Sequence, residues 1–195
     1  MNITTEQIKE LRDLTGVSVM QCRKALEEAG GDKDKAVVIL QKKSKEAAFK
    51  KSDRVLGAGA VQAYIHSNGT VGAMVELSCE TDFVSGNKEF KDLARDIAMH
   101  VAAQNPKFIK MEDIKDEEKT AAIAVFTEEV KDKPENMREK ILEGKLNAYF
   151  AEKTLMEQPF IKNPDFTIRN LIENAIQKFG EKTEITRFVR FAVGK

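Results

Sequence analysis

Apolar residues recur at helical spacing three times before about residue fifty. Thr4 and Gln7 form a capping-box pair, and Ile8, Leu11 and Leu14 follow on one face. Gly16 interrupts. Ser18 and Gln21 form a second pair and open a helix carrying Val19, Cys22, Leu26 and Ala29, which Gly30-Gly31 closes as a glycine C-cap. Asp32 caps a third helix with Ala36, Val37 and Leu40 inward. Three helices in so short a stretch predict a small bundle with a thin core.

The period then changes to two. Val61, Ala63 and Ile65 alternate with Gln62, Tyr64 and His66. Asn68-Gly69 is a strong hairpin signal, because a type I′ turn needs positive φ at both central residues. The return strand puts Val71, Ala73, Val75, Leu77 and Cys79 on one face. Ser85, followed by Lys88 and Glu89, predicts the start of a long helix with the stripe Phe90, Leu93, Ala94, Ile97, Ala98 and Val101; Asn105-Pro106 stops it. Residues 112–157 read as two charged helices broken at Lys133-Pro134. The first carries Ala122, Val125, Phe126 and Val130, the second Met137, Ile141, Leu142, Leu146, Tyr149 and Phe150. So short a break predicts an antiparallel helical hairpin. After Gln158-Pro159-Phe160 comes a helix with Ile168, Leu171, Ile172, Ala175, Ile176 and Phe179, closed by Gly180. Thr183 to Val193 reads as a strand with Ile185, Val189, Phe191 and Val193 on one side.

These elements predict an α+β fold: an N-terminal three-helix bundle, then a core with a small antiparallel sheet and the helical hairpin. Lys42, Lys43, Lys45, Lys50, Lys51 and Arg54 crowd together where the pattern changes, and the domain boundary is set there, at 1–53 and 54–195. The basic run reads either as a solvated helix end and linker or as a patch for RNA or an acidic partner.

Composition narrows the class. The 195 residues are 42% hydrophobic and 33% charged, the balance of a soluble globular chain. No apolar run is long enough for a membrane helix, and the start Met1-Asn2-Ile3-Thr4 lacks signal-peptide character, so a cytoplasmic protein is expected. The 32 basic and 32 acidic residues cancel, which argues against nucleic acid as the main partner. Cys22 and Cys79 make neither a zinc spacing nor a disulfide framework and are expected as small buried residues.

No catalytic constellation stands out. Gly57-Ala58-Gly59 lacks the later glycine, lysine and helix of a phosphate loop. His100 lies on the apolar stripe of the long helix and is expected to be structural, whereas His66, near the hairpin tip, is free to make a contact. No enzyme in the bond-breaking sense, no metal and no cofactor are expected. One feature is odd. At the junction of strand and long helix stands Glu80-Thr81-Asp82-Phe83-Val84, a carboxylate followed by a large ring. Either Asp82 caps a turn and Phe83 folds into the core, or the pair projects together and the ring anchors in a partner's pocket.

At this loop the chain resembles the elongation factor Ts family, through Glu76-Leu77-Ser78-Cys79-Glu80-Thr81-Asp82-Phe83-Val84. Thr15 to Leu26, Ile97 to Ala103, Glu157 to Ile161 and Arg187 to Phe191 resemble further family blocks, in family order. The resemblance implies an N-terminal unit similar to ubiquitin-associated domains, and a core from which the hairpin of about residues 112–157 protrudes. It implies a guanine nucleotide exchange factor that binds elongation factor Tu with GDP and promotes GDP release. The blocks of two core lobes are merged into one here, as in short family members, which implies a homodimer, sheet to sheet, binding two Tu molecules.

The site residues implied are Thr81, Asp82, Phe83 and Val84. Phe83 would wedge into an apolar crevice of the Tu nucleotide domain, and Asp82 would disturb its Mg²⁺. Arg12, Val19 and Met20 would grip the same domain from another side, and His66 would touch a different Tu domain. Val19, Gln21 and Ser18 depart from the usual methionine, aspartate and glycine, which weakens the carry-over at the N-terminal contact; Thr81-Asp82-Phe83 is intact. Two other readings compete: a protein-interaction adaptor built on the helical bundle, and an RNA-binding factor using the run from Lys42 to Arg54.

Overall fold

A computed structural model describes residues 3–194. The order is α1 (Thr5–Thr15), α2 (Val19–Glu28), α3 (Lys33–Phe49), β1 (Ala58–Ile65), β2 (Val71–Cys79), α4 (Asp82–Gly86), α5 (Lys88–Gln104), α6 (Asp116–Glu129), α7 (Glu135–Lys153), β3 (Pro159–Phe160), β4 (Asn163–Thr167), α8 (Ile168–Phe179) and β5 (Thr183–Ala192). The fold is α+β, eight helices with small antiparallel sheets among the described residues. Two compact units make it up. One runs up to Ala102 and resumes at Arg169; the other is Ala103–Ile168.

In the first unit, α1 to α3 close on Leu11, Val17, Cys22, Ala25, Leu26, Ala36 and Leu40, each at most 1% exposed. The caps work as the sequence implies. Thr4 N–H donates to Gln7 Oε1 at 2.9 Å while Gln7 N–H donates to Thr4 Oγ1 at 3.2 Å, and Asp32 Oδ1 accepts from Lys35 N–H at 3.0 Å. Gly16 ends α1 in the left-handed region at φ 70°. A buried polar knot fastens this bundle to α8. Asn174 Nδ2 donates to the Thr15 carbonyl at 3.0 Å, and Asn174 Oδ1 accepts from Ser44 Oγ at 2.8 Å; Ser44 also bonds Gln177.

The main sheet is antiparallel, in the order β1-β2-β5. Its inner face carries Ala73, Val75, Leu77, Cys79 and Ile185, all buried, and α5 supplies Phe90, Ala94, Ile97, Ala98 and Val101 to the same unit's core. Phe90 meets Phe179 of α8 edge to face at 5.9 Å. His100 is fully buried, as a structural histidine should be. Burial pushes the thiols of Cys22 and Cys79 above their ordinary range.

Three details differ from the sequence reading, and one face that it left open is assigned. The hairpin turn is wider than type I′: His66 N–H still pairs with the Val71 carbonyl, Gly69 takes φ 70°, and Asn68 Oδ1 ties back to Thr70 N–H at 3.1 Å. Asn87, not Ser85, heads the long helix, its Oδ1 accepting from Glu89 N–H at 2.8 Å. Val61 and Ile65 point outward, 54% and 72% exposed. Ile185 and Val189 lie on opposite faces, because Glu76 pairs with Arg187 while Leu77 pairs with Ile185, leaving Thr186 as a bulge.

In the second unit, α6 and α7 pack through Ala122 and Phe150, joined by Ile114 and flanked by Phe126 and Tyr149. Phe126 and Tyr149 meet edge to face at 5.3 Å, and Lys145 pairs with Glu129 at 2.7 Å. Those partners step backwards along α7 as they step forwards along α6, so the two helices run antiparallel. Val125 and Met137, read as inward, are 59% and 50% exposed. A two-stranded ladder of β3 and β4 completes the unit, too short for a periodic signal.

Candidate partner-binding site

The oddly placed acid and ring stand at a corner where β2 gives way to α4. Thr81 has extended backbone (φ −129°, ψ 158°) and heads the turn, with Ser85 N–H donating to its carbonyl at 3.2 Å. The reversal splits the four residues. Val84 drops into the core at 4% exposure, while Thr81, Asp82 and Phe83 stay outside. Phe83 is 84% exposed, equal with Val55 as the most exposed large apolar side chain among the described residues. The core reading of this ring is therefore excluded by its exposure. The structure thus presents the ring to solvent on a short turn whose next residue, Val84, is buried.

The corner is tied down from the α8–β5 junction. Glu181 Oε2 accepts from Glu80 N–H at 3.2 Å and from Thr81 N–H at 3.0 Å, and Glu181 Oε1 accepts from Thr81 Oγ1 at 2.6 Å. In return, Glu80 Oε1 accepts from Lys182 N–H at 2.6 Å and from Arg54 Nη1 at 3.2 Å. The Lys182 amide, followed by Arg54, holds the Glu80 carboxyl below its usual range. Sequence reasoning missed Glu181 and Lys182; the one available signal was Gly180, whose left-handed turn (φ 74°) throws the chain back toward β2.

The remaining candidates are surface residues. Val19 and Met20, on the first turn of α2, are 50% and 60% exposed, and Arg12 is exposed on α1. His66 is exposed beyond the end of β1, with Tyr64 Oη 3.2 Å from its Nδ1. In the basic run, Lys43 pairs with Glu28 at 2.5 Å and Arg54 with Glu80. Among the described residues, no group of three or more His, Cys, Asp or Glu is placed to hold a metal ion. No helix there is long and apolar enough to cross a membrane.

The outer face of the main sheet is the other unusual surface. Ile65, Met74, Val189, Phe191 and Val193 are 72%, 46%, 41%, 70% and 78% exposed. The register sets Met74 between Ala63 and Val189, and Gly72 between Ile65 and Phe191, so the patch is continuous across three strands. A shallow depression of about 410 Å³ lies within it, lined by Ile65, Met74, Phe191 and Val193 among others.

Comparison with known proteins gives one answer along the whole chain. The family described as Elongation factor TS matches residues 6–195. Elongation factor Ts of Carboxydothermus hydrogenoformans is 48% identical over 195 residues, covering 99% of this chain and 90% of its own. Those of Thermosipho melanesiensis and Thermodesulfovibrio yellowstonii are 45% and 47% identical, covering 99% and 100% of this chain and 100% and 98% of theirs. Identity at this level over nine tenths or more of each chain leaves one conclusion: the chain belongs to the elongation factor Ts family.

Proposed function

We propose that this chain is a guanine nucleotide exchange factor, which binds elongation factor Tu with GDP and speeds GDP release so that GTP can enter. The observation that carries the reading is Phe83, a phenyl ring 84% exposed on a tied-down corner. Exchange breaks no bond, so it needs no nucleophile and no general acid. It needs a factor that prefers the nucleotide-free partner; by reciprocity, the factor weakens the nucleotide as much as the nucleotide weakens the factor. GDP is held with Mg²⁺ through oxygens and phosphate-loop amides. An inserted ring displaces what cradles them, and a carboxylate beside it competes for the ion's surroundings.

In this reading Phe83 is the wedge and Asp82 the acid that disturbs Mg²⁺. Thr81 and Val84 seat the pair. Residues 1–53 form a domain similar to ubiquitin-associated domains, and Arg12, Val19 and Met20 on it hold the Tu nucleotide domain from another side. Residues 54–195 form the core, with the α6–α7 hairpin within that stretch of chain, and His66 touches a second Tu domain. The setting is the cytoplasm, and no nucleic acid is bound directly.

The apolar outer face of the sheet supports a homodimer. Two copies related by a two-fold axis bury Phe191, Val193, Ile65 and Met74 against their equivalents, as sheet stacks on sheet in a sandwich. The dimer then carries two Tu molecules.

The test is release of labelled GDP from Tu with and without the chain. Acceleration at micromolar concentration supports the reading, and its absence sinks it. Mg²⁺ titration of the same assay examines Asp82: with Asp82→Ala the Mg²⁺ dependence should change, and an unchanged curve rejects that role. Met20→Ala should raise the half-saturating concentration; no change removes the N-terminal contact. For His66, His66→Ala should weaken complex formation, and unaltered affinity refutes the contact.

A further inference from the structure

We infer that Glu181 is the positioning residue of the exchange corner: its carboxylate fixes the direction in which Asp82 and Phe83 are presented. The inference deepens the reading of Phe83 as the wedge and rests on it.

Two consecutive amides, Glu80 N–H and Thr81 N–H, point at one oxygen of Glu181, at 3.2 and 3.0 Å, and the Thr81 hydroxyl points at the other, at 2.6 Å. Charge-assisted bonds of this kind are about twice as strong as neutral ones, and three converging on one carboxylate set both the place and the twist of the backbone. The Thr81 hydroxyl makes no cap bond to α4. It is spent on Glu181 instead, so the first turn of that five-residue helix is oriented from across the sheet rather than from within. The exchange of bonds is reciprocal, since Glu80 accepts from Lys182 N–H at 2.6 Å. β2 and the start of β5 are thus cross-tied immediately before the ring projects.

Thr81 is exposed, so water can satisfy its amide and hydroxyl if Glu181 is removed. Stability then changes little. What is lost is order in the free protein, and a wedge that must be ordered during binding is slower to act.

The experiment uses the full chain with Glu181→Ala and Glu181→Gln. Glu181→Ala should lower the maximal rate of GDP release from Tu about tenfold, with the half-saturating concentration within about twofold and the melting temperature within about 2 °C. Glu181→Gln, whose amide oxygen can still take both backbone N–H groups while its NH₂ faces the Thr81 hydroxyl, should restore most of the rate. Amide hydrogen exchange at Glu80 and Thr81 should quicken in Glu181→Ala alone, with β2 unchanged. In a Phe83→Ala background the Glu181→Ala effect on the rate should vanish. A wild-type maximal rate in Glu181→Ala, or an equal slowing in both backgrounds, overturns the inference. Should Glu181→Ala not fold, Thr81→Val, which removes only the hydroxyl bond, takes its place with the same split expected. If the wild-type chain itself does not release GDP, the proposed function fails, and hydrogen exchange still judges the tie by itself.

Discussion

Truncating Phe83 to alanine separates an anchor from a core residue by size of effect. The ring of a phenylalanine offers about 150–250 Å² for burial. Phe83 is 84% exposed, so on the order of 150 Å² remains to be covered by a partner. At ~25 cal/mol per Å² that is about 4 kcal/mol as an upper bound, and alanine keeps part of it. A loss of about 2–3 kcal/mol in stabilisation of the productive complex follows, or roughly 30- to 150-fold in the rate constant of GDP release at low factor concentration. Folding stability should move by no more than about 0.5 kcal/mol, as for other surface changes. Phe90 is the internal control: fully buried against Phe179, it should cost about 3–5 kcal/mol of stability as Phe90→Ala. Stopped-flow release of a fluorescent GDP analogue gives the first quantity and urea unfolding the second. An exchange rate within threefold of wild type refutes the wedge. A stability loss in Phe83→Ala as large as that of Phe90→Ala refutes the exposed placement.

Three further outcomes follow from other parts of the molecule. Phe191→Asp places a charge within the apolar patch of the outer sheet face and should shift the chain from the proposed dimer to monomer in sedimentation with the melting transition retained; an unchanged sedimentation coefficient rejects that face as the interface. Asn174→Ala strips the buried knot of its central amide and should cost about 1–3 kcal/mol in urea unfolding, because the Thr15 carbonyl loses its donor and Ser44 one acceptor; a change under about 0.5 kcal/mol contradicts it. Glu80 has a folded-state pKa below its unfolded value, so its contribution is complete above the unfolded value and fades as pH falls through the folded one. The gap in melting temperature between wild type and Glu80→Gln should therefore close on acidification, and a gap that widens reverses the sign.

The bundle and the long helices were legible because their signals are local. Thr4 with Gln7, Asp32 and the glycine stops each act within one turn of chain. The sheet was half legible. Alternation at Val61, Ala63 and Ile65 announces two faces without saying which one the helices cover, and here the apolar set of β1 is left outside. At Thr186 a single inserted residue turns the rest of β5 over, and such a bulge leaves no periodic trace. The corner at Thr81 to Val84 is too short for any period to decide where each side chain points, so Phe83 stayed undecided between core and surface. Val84, grouped with the contact residues by motif, proves to be the plug beneath them. Glu181 was out of reach, because its bonds to Thr81 span 100 positions.

The polar knot bears on how the molecule is made. The bonds of Asn174 reach back 130 residues to Ser44 and 159 to Thr15. As the chain leaves the ribosome, α1 to α3 and the β1–β2 hairpin have all their near partners at once and can form early. The surface of the bundle that carries Thr15 and Ser44 has no cover until α8 is synthesised, and β2 keeps an open edge until β5 arrives. α8 and β5, which emerge only after the whole second unit, are therefore what shuts the first unit, and until then a nascent chain presents both an unpaired strand and an uncovered helical seam to chaperones and to its neighbours on the same message.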